Sequence, residues 1–300
     1  MDDEVLEAYH TAGRIAGEAR TYGASLVREG STYLEVAEKT EDLIKKKGGV
    51  PAFPVNVAVN DVAAHFTPHH NSKDVFVRGD IVKVDVGVHV NGYIGDTAMT
   101  VEVGTRNWTD LIRASEHALQ TAIELLKPNV QMRMIGGAIE RAVDSVGYKS
   151  ISNLTGHSMQ QFSLHAGKSV PNVLDTNSAT AKEGDVLAIE PFATNGAGKV
   201  TGKKGGNIYR LLRARDLKKR ALTTLLRSIE ETFLTLPFAE RWCLQFDNKS
   251  SHRIGKLVRL GALYTYPILR DGGGGMVSQA EHTVIVTESG CEIITSPKSL

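Results

Sequence analysis

Apolar residues recur every three to four positions in four stretches, roughly 4–28, 33–47, 108–127 and 132–146, and there the spacing predicts amphipathic helices. The phrases "VAEKTEDLIKKKGG" and "IGGAIERAVDSVGY" carry that spacing and end near glycine, a helix-stop signal. After each helix pair the period drops to two. "RGDIVKVD" (Arg78 to Asp85) and "EGDVLAIE" (Glu183 to Glu190) both read Gly-Asp, then alternating aliphatic residues, then a carboxylate. Asp80 precedes Asp85 by five residues, and Asp185 precedes Glu190 by five. The pattern is that of a duplicated helix-helix-sheet unit, an α+β fold, whose pseudo-symmetric halves bring Asp85 and Glu190 toward a shared interface.

The first strand continues as "KVDVGVHVNGYIGDT". Asn91 and Gly92 both tolerate the positive φ of a type I′ turn, so the segment predicts a hairpin. With the turn centred there, Asp85 faces Ala98 and Asp96 faces Gly87. Asp85 and Asp96 then lie on one face as diagonal neighbours, about 7 Å apart or less. Gly87 and Ala98 have almost no side chain and leave room above that face. Val82, Val84, Val86 and Val88, with Met99 and Val101 across the hairpin, make the other face core. Two carboxylates so close on an apolar sheet repel and are poorly solvated, so either one is protonated or cations neutralise both.

Other donors follow. If residues 157–165 of "NLTGHSMQQFSLHAGKSVP" run as one strand, His157 and His165 project from one face. "SQAEHTVIV" places Glu281 at the start of a β-prone strand, where a buried carboxylate again needs a cation or a partner. His69, His70, His89 and His282 are read as structural or exposed.

Composition narrows the classes. The chain has 300 residues, is 41% hydrophobic and 23% charged, and carries a net charge of +1, so as a whole it is not a polycation seeking nucleic acid. Its two cysteines, Cys243 and Cys291, do not suggest a disulfide framework and fit a reducing cytoplasm. The N-terminus "MDDEVLEAYHTAGRIAGEAR" opens acidic and is not a signal peptide, and no run approaches a membrane span. Charge is nonetheless segregated. Residues 199–270 hold 16 Lys or Arg against 5 Asp or Glu, an excess of 11 that leaves −10 on the remainder. This segment contains the helical stretch "ALTTLLRSIEETF" and reads as a basic helical insert subdomain (199–270) within a main domain made of 1–198 and 271–300. "DGGGGMVSQ" (Asp271 to Gln279) reads as a flexible return.

Asp85, Asp96, His157, Glu190 and Glu281, in this order and these contexts, resemble the metal ligands of the methionine aminopeptidases. "AAHFTPHH", "LHAGKSVPN", "TLPFAERW" and the long insert between Glu190 and Glu281 resemble the type II branch, and the lack of a long extension before the first helix resembles its archaeal form. The resemblance implies a duplicated "pita-bread" fold with a winged-helix-like insert and two divalent metal ions, Co, Mn, Fe or Zn. Asp85 would chelate one ion, Asp96 and Glu281 would bridge both, and His157 and Glu190 would complete the other. It further implies removal of the N-terminal methionine from nascent polypeptides by a monomeric cytoplasmic enzyme. Glu190 would shuttle a proton, His165 would donate to the oxyanion, and His65 would contact the substrate backbone or leaving nitrogen. Phe53, Leu164, Phe192 and Tyr266 are candidates for the methionine pocket. The basic insert would dock on ribosomal RNA. One departure stands in "GGNIYR", where some type II members carry histidine and this chain has Asn207. The competing readings are a prolidase-type peptidase, which shares the five ligands, and a non-catalytic pita-bread protein that binds RNA or ribosomes.

Overall fold

The first helix, α1 (Asp3–Leu26), buries a stripe of small residues that includes Ala12, Gly13, Ala16, Gly17 and Ala19. Small residues let it lie directly on the hairpin formed by strands Ile81–Val90 and Tyr93–Glu102. At the closest point a Cβ on Gly95 would stand 2.6 Å from the Cα of Gly13, so neither position has space for a side chain. The structure is a computed structural model and describes residues 1–203, 205–214 and 216–296. Helix α2 (Tyr33–Lys46) begins where the Thr32 side chain accepts a hydrogen bond from the Glu35 amide. Together α1 and α2 cover Val82, Val84, Val86 and Val88, all fully buried, which is the core face expected from the alternation. Met99, on the same face, is only half-buried.

The hairpin has the expected register, with Asp85 opposite Ala98 and Gly87 opposite Asp96. Its turn residues Asn91 (φ 52°) and Gly92 (φ 87°) both take the left-handed region. The volume above Gly87 is not free: a Cβ there would meet the Phe53 ring at 2.1 Å.

The second half repeats the first. Helices α3 (Thr109–Leu125) and α4 (Met132–Asp144) pack over strands Val186–Ile189 and His282–Val286. Isolated bridges join Thr32 to Val75 and Gln131 to Thr180, each pairing the residue before the second helix with one five positions before the Gly-Asp aspartate. The Asp80 carboxylate accepts from the Val77 amide and the Asp185 carboxylate accepts from the Lys182 amide. Gly79 donates to the Val103 carbonyl and Gly184 to the Val286 carbonyl. One local device, used twice, therefore starts both carboxylate-bearing strands.

Residues Arg220–Phe233 and Ser250–Arg259 form α5 and α6, joined through a 3₁₀ turn, Glu240–Gln245. They pack on a three-stranded sheet in the order Phe238–Ala239, Ile208–Leu211, Leu263–Thr265, around a separate core of Leu222, Leu225, Leu226, Ile229, Phe238, Ile254 and Leu257. The strands Val200–Lys203 and Ile268–Asp271 lead in and out of this unit and pair with each other, and the second also pairs with Val62–Ala64 of the main body. The return is not a loose linker. Asp271 is buried and accepts the amides of Ala197, Gly273 and Gly275, while Gly275 lies so close to Gly196 that a Cβ would stand 2.3 Å from its Cα. The glycines serve close backbone approach around one carboxylate, which composition alone reads as flexibility. Among the described residues no helix is long and apolar enough to cross a membrane, and Cys243 and Cys291 are both free.

Candidate active site

Five acceptor or donor side chains reach one cavity from five strands or strand ends. Asp85 and Asp96 come from the hairpin, and His157 from the short strand Thr155–Ser158. Glu190 directly follows Val186–Ile189 and Glu281 directly precedes His282–Val286. In that pair of strands His282 faces Ile189, so Glu190 and Glu281 fall opposite each other one step further along. The two halves meet without a continuous ladder. The Thr283 hydroxyl accepts from the Asp96 amide and donates to the Asp96 carbonyl, both at 2.8 Å. The Glu281 amide donates to the Ala98 carbonyl at 3.0 Å. The buried Arg20 guanidinium donates to the Thr97 hydroxyl, which donates in turn to the Glu281 carbonyl. Helix α1 thereby fixes the backbone under two of the carboxylates.

Donor atoms of Asp96, His157 and Glu281 all lie within 4.8 Å of one another, and His157 Nε2 is 3.7 Å from both Asp96 Oδ2 and Glu190 Oε1. Gln279 Nε2 donates to Glu281 Oε2 at 3.3 Å and approaches Glu190 Oε2 at 3.5 Å. Asp85 Oδ1, Asp96 Oδ1 and His157 Nδ1 are buried without a hydrogen-bond partner among the described residues. Burial raises the Asp85 carboxyl to about 7. Burial, and then mutual repulsion, hold Asp96, Glu190 and Glu281 well above the usual carboxylate range; Arg20 opposes this only at Glu281. Burial, then the nearby His165, push the His157 imidazole down to about 3, so its ring is neutral and its lone pair available. Hard oxygen donors around one neutral imidazole, with orphaned buried acceptors, fit divalent cations of the Mn, Fe, Co or Zn type.

The cavity has a volume of about 70 Å³ and its remaining wall includes Phe53, Ala64, Leu164, Ile208, Pro237 and Tyr266. His65 and His165 also line it. His65 sits at φ 62°, in the left-handed region unusual for a non-glycine residue, and burial followed by His165 lowers its pKa to about 4. The reading of residues 157–165 as one strand does not hold. The strand ends at Ser158, the chain turns through the Gln160–Ser163 bridge with Phe162 at φ 54°, and Ala166 returns to bond the Ser158 carbonyl. This tight return nevertheless sets the His165 ring 4.3 Å from that of His157.

Phe192 is placed elsewhere. It is 1% exposed and packs with Ala63, Ile151, Val200 and Val277 in a small separate core, because it lies two residues past Glu190 on the strand Phe192–Thr194 of another sheet. Asn207 reaches back to the Thr67 carbonyl, and its neighbour Ile208 is the residue that lines the cavity. Five lining or orienting residues escaped sequence reasoning: Asn56, Ala64, Ile208, Pro237 and Gln279. Gln279 had a signal, since two residues before Glu281 on an extended chain means the same side. Asn56 faces Asp85 across the sheet, and nothing in the sequence fixes that register.

The family model of metallopeptidase family M24 matches residues 7–288. A methionine aminopeptidase of Methanocaldococcus jannaschii is 43% identical over 295 residues, covering 98% of this chain and 100% of the relative. Among solved structures, a methionine aminopeptidase from Thermotoga maritima aligns with a TM-score of 0.74 at 24% identity, over 99% of this chain and 98% of that one. A thermophilic Arx1 aligns with a TM-score of 0.86 at 18% identity, over 100% of this chain and 93% of the other. At such identities the two structures establish the fold, a pita-bread arrangement of two repeated halves. Matched over nearly its whole length by the family model and by a relative well above 30% identity, the chain belongs to metallopeptidase family M24.

Proposed function

We infer that this chain is a metal-dependent methionine aminopeptidase, hydrolysing the first peptide bond of proteins that begin with methionine. The convergence of Asp85, Asp96, His157, Glu190 and Glu281 on one cavity with an apolar opposite wall carries this reading. The full-length likeness to curated methionine aminopeptidases supports it. Asp85 would hold one cation, Asp96 and Glu281 both, and His157 and Glu190 the other. Such cations, when bound, polarise a carbonyl and bring the pKa of a water toward neutrality.

The protein's own groups do the rest. Glu190 accepts a proton from the attacking water and delivers it to the leaving nitrogen. His165 and His65 stand on the cavity wall as neutral imidazoles, His165 donating to the developing oxyanion and His65 to the substrate backbone. Phe53, Leu164 and Tyr266, with Ile208 and Pro237, receive the methionine side chain. A second cleft shares Leu164, His165, Pro237 and Tyr266 with the cavity and is further lined by Phe162, Arg210 and Tyr264. It offers a path for the substrate chain beyond its first residue. The substrate class is therefore nascent polypeptide N-termini. The basic insert is the proposed contact to ribosomal RNA, supported by its excess of 11 positive charges.

A Met-Gly-X peptide assay with added Mn or Co tests the reading. Release of free methionine, absent in Asp96→Ala, is the expected result. Cleavage of X-Pro dipeptides instead would favour the prolidase-type reading, and no cleavage under any metal would favour the non-catalytic one.

A further inference from the structure

A second cluster of metal-ligating side chains lies outside the cavity, where the main body meets the insert. His69 and His70 sit in the loop between strands Val62–Ala64 and Ile81–Val90, and Glu240 opens the 3₁₀ turn of the insert. His69 Nε2 is 3.2 Å from Glu240 Oε2, and His70 Nδ1 is 3.3 Å from the same oxygen. The donor atoms of all three lie within 4.8 Å of one another. A tetrahedral zinc ion with bonds of about 2.0–2.2 Å separates its ligand atoms by about 3.3–3.6 Å, close to the two nitrogen–oxygen distances of 3.2 and 3.3 Å seen here.

The surroundings support coordination over a chance encounter. His69 Nδ1 is 2.7 Å from Asn71 Oδ1, and in the tautomer that donates this hydrogen bond the Nε2 lone pair faces the carboxylate. Two lone pairs facing each other at 3.2 Å repel unless a cation or a proton stands between them. The Glu240 carboxylate is 3% exposed, and its ion-pair partners among the described residues are these two histidines. Its other oxygen, Oε1, accepts from the Ser251 hydroxyl, which holds the carboxylate in orientation. Both sides of the cluster are also fixed at the backbone. Arg241 Nη1 donates to the Thr67 hydroxyl at 2.7 Å and to the Pro68 carbonyl at 3.2 Å, and the Glu240 amide donates to the Asn207 carbonyl. The residues just before His69 and just after Glu240 are thus tied together before any ion arrives.

We propose that His69 Nε2, His70 Nδ1 and Glu240 Oε2 form a separate zinc site that pins the insert to the main body. Two imidazoles and one carboxylate are a zinc-type donor set, with the fourth position left to water. The half-exposed histidines give an ion access from solvent. The site is independent of the peptidase reading, since none of its ligands lines the cavity.

Crystals soaked in zinc and measured at the zinc absorption edge test it directly. An anomalous peak within bonding distance of all three atoms is expected; peaks confined to the Asp96–His157–Glu281 cavity would overturn it. In solution, equilibrium dialysis should show wild type retaining one more zinc per chain than His69→Ala/His70→Ala, with methionine release by the Mn-loaded proteins unchanged. Glu240→Gln, which keeps the side-chain shape and the Ser251 contact, should lose the same equivalent even if the double variant folds poorly. Zinc should raise the Tm of wild type saturated with Mn and leave that of Glu240→Gln unmoved. Equal zinc content in all three proteins would refute the site.

Discussion

The carboxylate cluster makes metal affinity depend on pH in a way that an ordinary ligand set would not. A proton on a ligand must leave before a cation can take its place. With Asp85 raised to about 7, its carboxyl in the metal-free protein is about three-quarters protonated at pH 6.5 and about 3% protonated at pH 8.5. Relief of that competition alone strengthens binding about fourfold over the interval. Asp96, Glu190 and Glu281 are also raised, by burial first and then by one another or Asp85. Each of these that stays protonated throughout adds up to tenfold per pH unit, or about 100-fold over two. His157 works the other way: an unperturbed histidine would add about twofold here, but a ring pushed down to about 3 has no proton to lose. The assay is titration of EDTA-stripped protein with Mn at pH 6.5, 7.5 and 8.5, free Mn being followed by its EPR signal. Affinity should rise at least fourfold, and Asp85→Asn should remove the Asp85 share. Affinity that is flat or falls over this range would refute the assignment of these four carboxylates to a buried, cation-neutralised cluster.

Other perturbations have definite outcomes. Asp96→Ala should abolish methionine release while leaving the circular dichroism spectrum intact; full activity would mean the wrong carboxylates have been assigned. Gly87→Ala puts a Cβ 2.1 Å from the Phe53 ring, so this cavity-lining ring must shift; KM for Met-Gly-X should rise, and stability should fall by about 1–3 kcal/mol in urea unfolding. Glu41 is buried in α2 and accepts from Arg241, from Trp242 Nε1 at 2.8 Å and from the Val55 amide at 3.1 Å, so Glu41→Ala leaves a buried guanidinium without its counter-charge. That change should cost about 3–5 kcal/mol by the same assay, with loosening between insert and main body visible in hydrogen exchange. Co-sedimentation with ribosomes should weaken steeply as salt increases, whereas a salt-independent affinity, or none, would remove the RNA-docking role of the insert.

Much of the fold could be read because its elements obey single periods. The four main helices and the hairpin register follow from apolar spacing and one Asn-Gly turn, each a local property. The duplication was visible in the repeated Gly-Asp phrase because both copies use the same glycine turn and the same aspartate-to-amide bond to start a strand. What escaped was set by distant chain segments. Phe192 looks like a pocket aromatic beside Glu190, but the sheet it enters turns it into another core. His165 reaches His157 through a loop with a left-handed Phe162, which no periodicity announces. The Asp271 glycine turn is rigid because of amides contributed 74 residues away in sequence as well as nearby. His69 and His70, read as structural or exposed, gain a chemical partner only when the insert brings Glu240 to them.

The most direct measurement is release of free methionine from a Met-Gly-X peptide by the purified protein, before and after stripping with EDTA and again after Mn is restored. Methionine should appear with the loaded protein, stop on stripping and return with the metal. A protein that stays folded, takes up Mn and still liberates no methionine would contradict the account.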